Sequence, residues 1–227
     1  LGRAIALACA REGANVAISG RTEADVRRAE IELARGGSQQ HVLAIPADLS
    51  IARDIRRVVR DTFNRFGQIG ILVTHMGYGP PGHPSEFNDE TIMEALEESF
   101  LSSIRFTREV VPYMKQQRWG RIVHLLPAPG RRSTDRGALS TTSQLALIGY
   151  SKSLANELAP FNITVNNLVS GPVDTSFLIS SLESQSQKSG KAFDDLMRDT
   201  ITDIPMGRLG RPEEVGDLVA LDRKSVV

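Results

Sequence analysis

Residues 15–50 read NVAISGRTEADVRRAEIELARGGSQQHVLAIPADLS, and the order of patterns in that stretch decides the fold. Asn15-Val16-Ala17-Ile18-Ser19 is a short apolar run, the pattern of a strand buried on both faces. Gly20-Arg21 turns the chain. Thr22 reads as a helix cap with Asp25 at the capping-box acid position, and Gly36-Gly37 stops that helix after Arg35. A second apolar run follows at residues 41–46. Two strands joined through a helix cannot form a hairpin. They pair in parallel, through a right-handed crossover.

The same alternation extends in both directions. Upstream, residues 4–11 are helical and end at Gly13. Downstream, Ser50 is read as the cap of a helix reaching Phe66, stopped by Gly67, and residues 69–74 as a strand. A Gly/Pro-rich loop covers 77–84, and one long helix covers 89–117, bent at Pro112. Residues 121–126 and 164–169 are strands flanking a helix over 139–159. Residues 177–203 form a helical excursion, and Pro212-Glu213 opens the last helix. The prediction is an α/β fold with a doubly wound parallel sheet of the Rossmann type, in three α/β/α layers. Ligands of such sheets bind beyond the carboxyl ends of the strands, so chemistry is expected just after Ser19, Pro46, Thr74, Leu126 and Val169. With no repeat and no linker, residues 1–221 read as one domain. Leu1 opens in mid-helix, and residues 222–227 depart abruptly from the preceding pattern, so the chain reads as truncated at both ends with a frayed or foreign tail.

Composition narrows the function. Lys plus Arg number 27 and Asp plus Glu 27, a balance that argues against nucleic acid or an anionic membrane as partner. The one cysteine, Cys9, excludes an internal disulfide and fits a reducing, cytoplasmic compartment. No apolar run reaches transmembrane length. His41 and His83 lack metal-ligand spacing with other candidates, so no metal is expected; His124 reads as a packed strand residue.

The expected strand ends carry further motifs: Leu1-Gly2-Arg3-Ala4-Ile5-Ala6, Ala47-Asp48-Leu49-Ser50, Ser170-Gly171-Pro172-Val173-Asp174-Thr175, and the run from Ile204 through Gly207-Arg208-Leu209-Gly210-Arg211-Pro212 to Val215. Together they resemble the short-chain dehydrogenase/reductase family, in particular its 3-oxoacyl-carrier-protein reductase-like members. The resemblance implies that the family's first, central strand lies before Leu1. The strands at 15–19 and 69–74 would then lie two spacings apart, about 10 Å, without pairing. It also implies a dinucleotide site using Gly2, Arg21, Asp48, Gly77, Gly171, Val173 and Thr175, a small-molecule substrate, and a homo-oligomeric parent, dimer or tetramer. No acidic residue follows the first strand, and Arg21 can meet a 2′-phosphate, which favours NADP(H) over NAD(H); Arg21 reads equally as a solvated turn residue.

The same alignment exposes a loss. Family members reduce a carbonyl or oxidise an alcohol with Asn, Ser, Tyr and Lys, and the matching positions are Ser99, Pro127, Ser140 and Gln144. The strand-end motif NNAG reads Thr74-His75-Met76-Gly77. A tyrosine can donate a proton at neutral pH only if a nearby cation lowers its pKa. The Ser140 hydroxyl is a far weaker acid, Gln144 has no charge, and Pro127 has neither a hydroxyl nor a backbone donor. Tyr150 and Lys152 stand two apart on a helix and face different directions, so they are no substitute. His75 and Tyr78 sit beside the expected cleft, where ordinary loop packing is the better explanation of both. Three readings remain: an oxidoreductase of impaired activity, a non-catalytic nucleotide-binding or oligomer-partner protein, and an inactive gene fragment.

Overall fold

The structure is a computed structural model and describes residues 1–35, 41–75, 77, 79–127 and 137–222. The Gly36-Gly37 stop, Met76, Tyr78 and residues 223–227 of the expected tail lie outside the described residues. Among the described residues the chain alternates α1 (Gly2–Arg11), β1 (Val16–Gly20), α2 (Glu23–Arg35), β2 (Val42–Pro46), α3 (Ala52–Phe66) and β3 (Ile71–His75). It continues through α4 (Asp89–Leu96), a π-helical turn (Glu97–Leu101), α5 (Ser102–Gln117), β4 (Gly120–Pro127), α6 (Ala138–Leu158), β5 (Ile163–Ser170), α7 (Ser176–Ser189), α8 (Phe193–Thr202) and α9 (Pro212–Asp222). All strand pairing is parallel: β1 with β2, and β3 with β4 with β5.

β1 and β3 do not pair; they belong to separate sheets. This is the non-contact expected between them. Val16 of β1 and Val73 of β3 nonetheless pack on one apolar cluster of Ile5, Cys9, Val123, Leu125 and Val219, so both sheets lie under the same helical layer. β4 is buried along its whole length, and its alternation separates the layers. Val123 and Leu125 face α1 and α9, whereas Ile122 joins Val110, Met114, Leu154 and Leu158 of α5 and α6. The helix layers approach closely where side chains are small. A Cβ on Gly216 of α9 would lie 2.8 Å from the Ala4 carbonyl oxygen of α1. α3 presents Ile55, Val58 and Val59 inward at helical spacing and ends on Gly67, whose left-handed φ of 73° lets its N–H reach the Phe63 carbonyl.

Several local expectations are corrected. Ser50 is not the cap of α3; Ile51 is, without a side-chain bond. Ser50 instead donates its N–H and hydroxyl to Asp48 Oδ1 at 3.0 and 2.7 Å, an Asx turn that outcompetes the capping role. The helix over 89–117 is interrupted by the π turn at 97–101, and Pro112 lies inside α5. The Ser99 hydroxyl donates to the Ala95 carbonyl at 2.5 Å and that of Ser102 to Glu98 and Ser99 carbonyls, where hydroxyls compete with the i−4 ladder. The excursion over 177–203 is two helices, divided at Gly190 with φ 71°. Asp222, expected in the tail, closes α9 and accepts a hydrogen bond from Asn166 at 2.8 Å.

Candidate active site

The carboxyl ends of the strands bring the expected residues to one edge of the sheets. On the β1/β2 side, α1 begins at Gly2 with Leu1 as its cap. No side chain caps it, and its first turn has no acidic residue. Its N–H groups and positive dipole end are therefore available to an anion. A Cβ at Gly2, Gly77 or Gly171 would meet nothing within 4 Å, so all three border open space. Arg21, just past β1, lies 3.4 Å from Glu98 of the π turn, both side chains being exposed. Asp48 follows β2. Its carboxyl pKa is lowered, first by the Ser50 hydroxyl bond, then by the Ser50 N–H, with the Arg21 charge contributing in the same direction.

On the other side, Gln144 of α6 donates through Nε2 to the Pro127 carbonyl at 2.6 Å, where β4 ends. Ser140 lies one helical turn before Gln144 on α6, half-buried. The loop after β3 is laid across this region. A Cβ on Gly79 would stand 3.0 Å from Leu139 Cβ, 3.5 Å from Ala95 Cβ and 3.5 Å from the Ser140 nitrogen. Because Ser99 is bonded to Ala95, Ser99, Ser140, Gln144 and Pro127 form a linked neighbourhood. Ser99 is buried within the π turn, a distortion that recurs at functional sites. Pro127 is the register partner of Ser170, which leads directly into Gly171.

The segment after β5 is held by the motif near residue 210. Val173 bridges to Gly210, the Asp174 N–H donates to the Gly210 carbonyl at 2.8 Å, and the Gly210 N–H donates to the Pro172 carbonyl at 3.0 Å. Thr175 caps α7 by accepting from the Leu178 N–H at 3.2 Å. Arg208 grips Glu214 through two bonds, 3.0 and 2.7 Å, and Glu214 also accepts the Arg211 N–H. These bonds, the Arg208 guanidinium first, hold the Glu214 pKa down to about 2. His124 is fully buried on β4 with Nδ1 2.8 Å from Thr74 Oγ1; burial lowers its pKa to about 4. No group of three or more His, Cys, Asp or Glu poised to hold a metal occurs among the described residues, and no described helix is long and apolar enough to cross a membrane.

The π turn is the feature that sequence reasoning missed. Glu97 holds Arg105 through both carboxylate oxygens, at 2.5 and 3.1 Å, and Arg105 donates to the Ser50 carbonyl at 3.0 Å. The only sequence signal was the adjacent pair Glu97-Glu98, with Arg105 two turns on.

A family model described as enoyl-(acyl carrier protein) reductase matches residues 1–221. The D-beta-hydroxybutyrate dehydrogenase of Cupriavidus necator is 29% identical over 219 residues, 96% of this chain and 84% of that protein. An actinorhodin polyketide ketoreductase variant with NADPH superposes with a TM-score of 0.89 at 27% identity, over 97% of this chain and 84% of the other. NAD+-bound xylitol dehydrogenase does so with a TM-score of 0.86 at 25% identity, over 97% and 86%. By fold, motif order and sequence, the chain belongs to the short-chain dehydrogenase/reductase family.

Proposed function

We propose that this protein binds a nicotinamide dinucleotide and a small carbonyl or alcohol substrate of the 3-oxoacyl kind, and that it is an oxidoreductase whose proton-transfer step is severely impaired. The observation that carries the reading is the Gln144 to Pro127 hydrogen bond. Where the family places a lysine ammonium and a serine hydroxyl, a neutral amide is tied to a backbone carbonyl. The residues present fit the dinucleotide. The uncapped start of α1 with Gly2 suits a pyrophosphate, and Asp48 suits the adenosine end. Arg21 suits a 2′-phosphate, hence NADP(H) in preference to NAD(H). Gly77, Gly171, Val173 and Thr175 border the nicotinamide end. When bound, the nicotinamide supplies or accepts the hydride.

This chain's own groups then do less than the family's. The Ser140 hydroxyl can hydrogen-bond the substrate oxygen but does not release a proton at neutral pH, so water is the proton source. Loss of a positioned general acid lowers the rate by about 10²–10⁴-fold. Binding without turnover is the second reading, a non-catalytic nucleotide-binding or oligomer-partner protein, favoured by loss at all four of Ser99, Pro127, Ser140 and Gln144. A homo-oligomer, dimer or tetramer, is part of the proposal, and it rests on the resemblance to the family. The test is a fluorescence titration with NADPH and NADH beside a single-turnover assay on a 3-oxoacyl thioester. Binding with slow turnover supports the main reading, binding with none supports the second, and no binding defeats both.

A further inference from the structure

Arg21 does not wait free for a phosphate. Its guanidinium already faces a carboxylate, Glu98, 77 residues later in the chain and 3.4 Å away. Glu98 is brought there by the π turn. In that turn Glu97 is anchored to Arg105, Arg105 to the Ser50 carbonyl, and Ser50 to Asp48. The π turn is thus strapped to both residues expected at the adenosine end, Arg21 and Asp48. Its next residue, Ser99, points inward and bonds Ala95.

We infer that Glu98 is a specificity-determining residue: its carboxylate competes with a nucleotide 2′-phosphate for the Arg21 guanidinium. The inference rests on the proposed dinucleotide site and adds to it an internal competitor. A 2′-phosphate and Glu98 carry charge of the same sign, so they cannot share one exposed guanidinium without repulsion. A ribose with a free 2′-hydroxyl brings no such charge and leaves the pair intact. Glu98 therefore weakens NADP(H) binding selectively, and the protein discriminates between the two cofactors less than Arg21 alone would dictate. Both side chains are solvated, 72% and 57% exposed, so the effect is modest and shrinks as salt rises.

The experiment uses adenosine 2′,5′-bisphosphate and 5′-AMP as probes, with NADPH and NADH as full-length counterparts. Affinities are measured by calorimetry on the wild-type chain, Glu98→Gln, Arg21→Ala and the double variant, each checked for fold by circular dichroism. Glu98→Gln is expected to tighten the bisphosphate about two- to five-fold at low salt, the range of exposed ion pairs, and to leave 5′-AMP unchanged. Arg21→Ala is expected to abolish the preference for the 2′-phosphate and to make the further Glu98→Gln change smaller. If Arg21→Ala abolishes the preference while Glu98→Gln alters nothing, the inference falls and the cofactor reading stands. If Arg21→Ala leaves the preference intact, or neither probe binds the folded wild type, the cofactor reading falls and takes the inference with it.

Discussion

Acid should destabilise this protein through one imidazole before it touches the carboxylates. His124 is 0% exposed, faces Thr74 through Nδ1, and has no partner at Nε2 among the described residues. Its β-ladder neighbours are neutral, Thr74 on β3 and Asn167 on β5. Desolvation sets the folded pKa at about 4, against about 6.5 in the unfolded chain. Above pH 6.5 neither state binds the proton, and the group contributes no pH dependence. Between 6.5 and 4 only the unfolded chain takes it up, so stability falls as pH falls; below 4 the loss is complete. The gap corresponds to roughly 3 kcal/mol in all, and about 2 kcal/mol by pH 5. That is a large part of a domain's margin of about 5–15 kcal/mol. Glu214 and Asp48 have lowered pKa values, so their contributions are lost only as pH falls below the ordinary carboxylate range, outside this window. His75 is lowered in the same direction, desolvation first, but stands exposed at the end of β3, where solvent screens its share. Urea unfolding at pH 7.5, 6 and 5 would measure the slope in the wild type, His124→Asn and His75→Asn. His124→Asn should flatten it, whatever its effect at pH 7.5. An unchanged slope in His124→Asn would refute the assignment.

Three further outcomes are expected. Restoring the proton machinery with Ser140→Tyr and Gln144→Lys together should leave turnover well below that of intact family members, because Pro127 still lacks a hydroxyl and such groups act as a unit; family-typical kcat in that double variant would show that positions 99 and 127 matter little. Gly120→Ala would place a Cβ 2.6 Å from the Met114 sulfur in a fully buried site, lowering stability by about 1–3 kcal/mol in urea unfolding. Adding Met114→Ala should recover little of that loss, since it opens a cavity; full recovery would mean that the core collapses around it. Glu214→Gln should loosen the turn that holds Val173 to Gly210, seen as faster amide exchange at Asp174 and Gly210 with β4 unchanged; equal exchange in both proteins would mean that the backbone bonds suffice.

The sequence alone determined the βαβ reading of residues 15–46, the remaining strands and most of the helices, because burial of a strand or helix face writes a period into neighbouring residues. The motifs at the strand ends were legible for the same reason: a corner between a strand and a helix needs particular small and polar residues at fixed offsets. From them the non-pairing of β1 and β3 was expected, and the structure has it. The π turn was not legible. Its widening depends on hydroxyls of Ser99 and Ser102 turning back to the helix and on Arg105 reaching Ser50, a partner 55 residues away. Ser50 itself looked like a helix cap, because only the folded turn shows Asp48 taking both its donors. Pairs such as Arg21 with Glu98 leave no periodic trace, since their members stand 77 residues apart and meet only through the packing of separate elements. The chain's local pattern therefore specifies which elements exist and where their ends lie. Tertiary packing decides which charges meet at those ends.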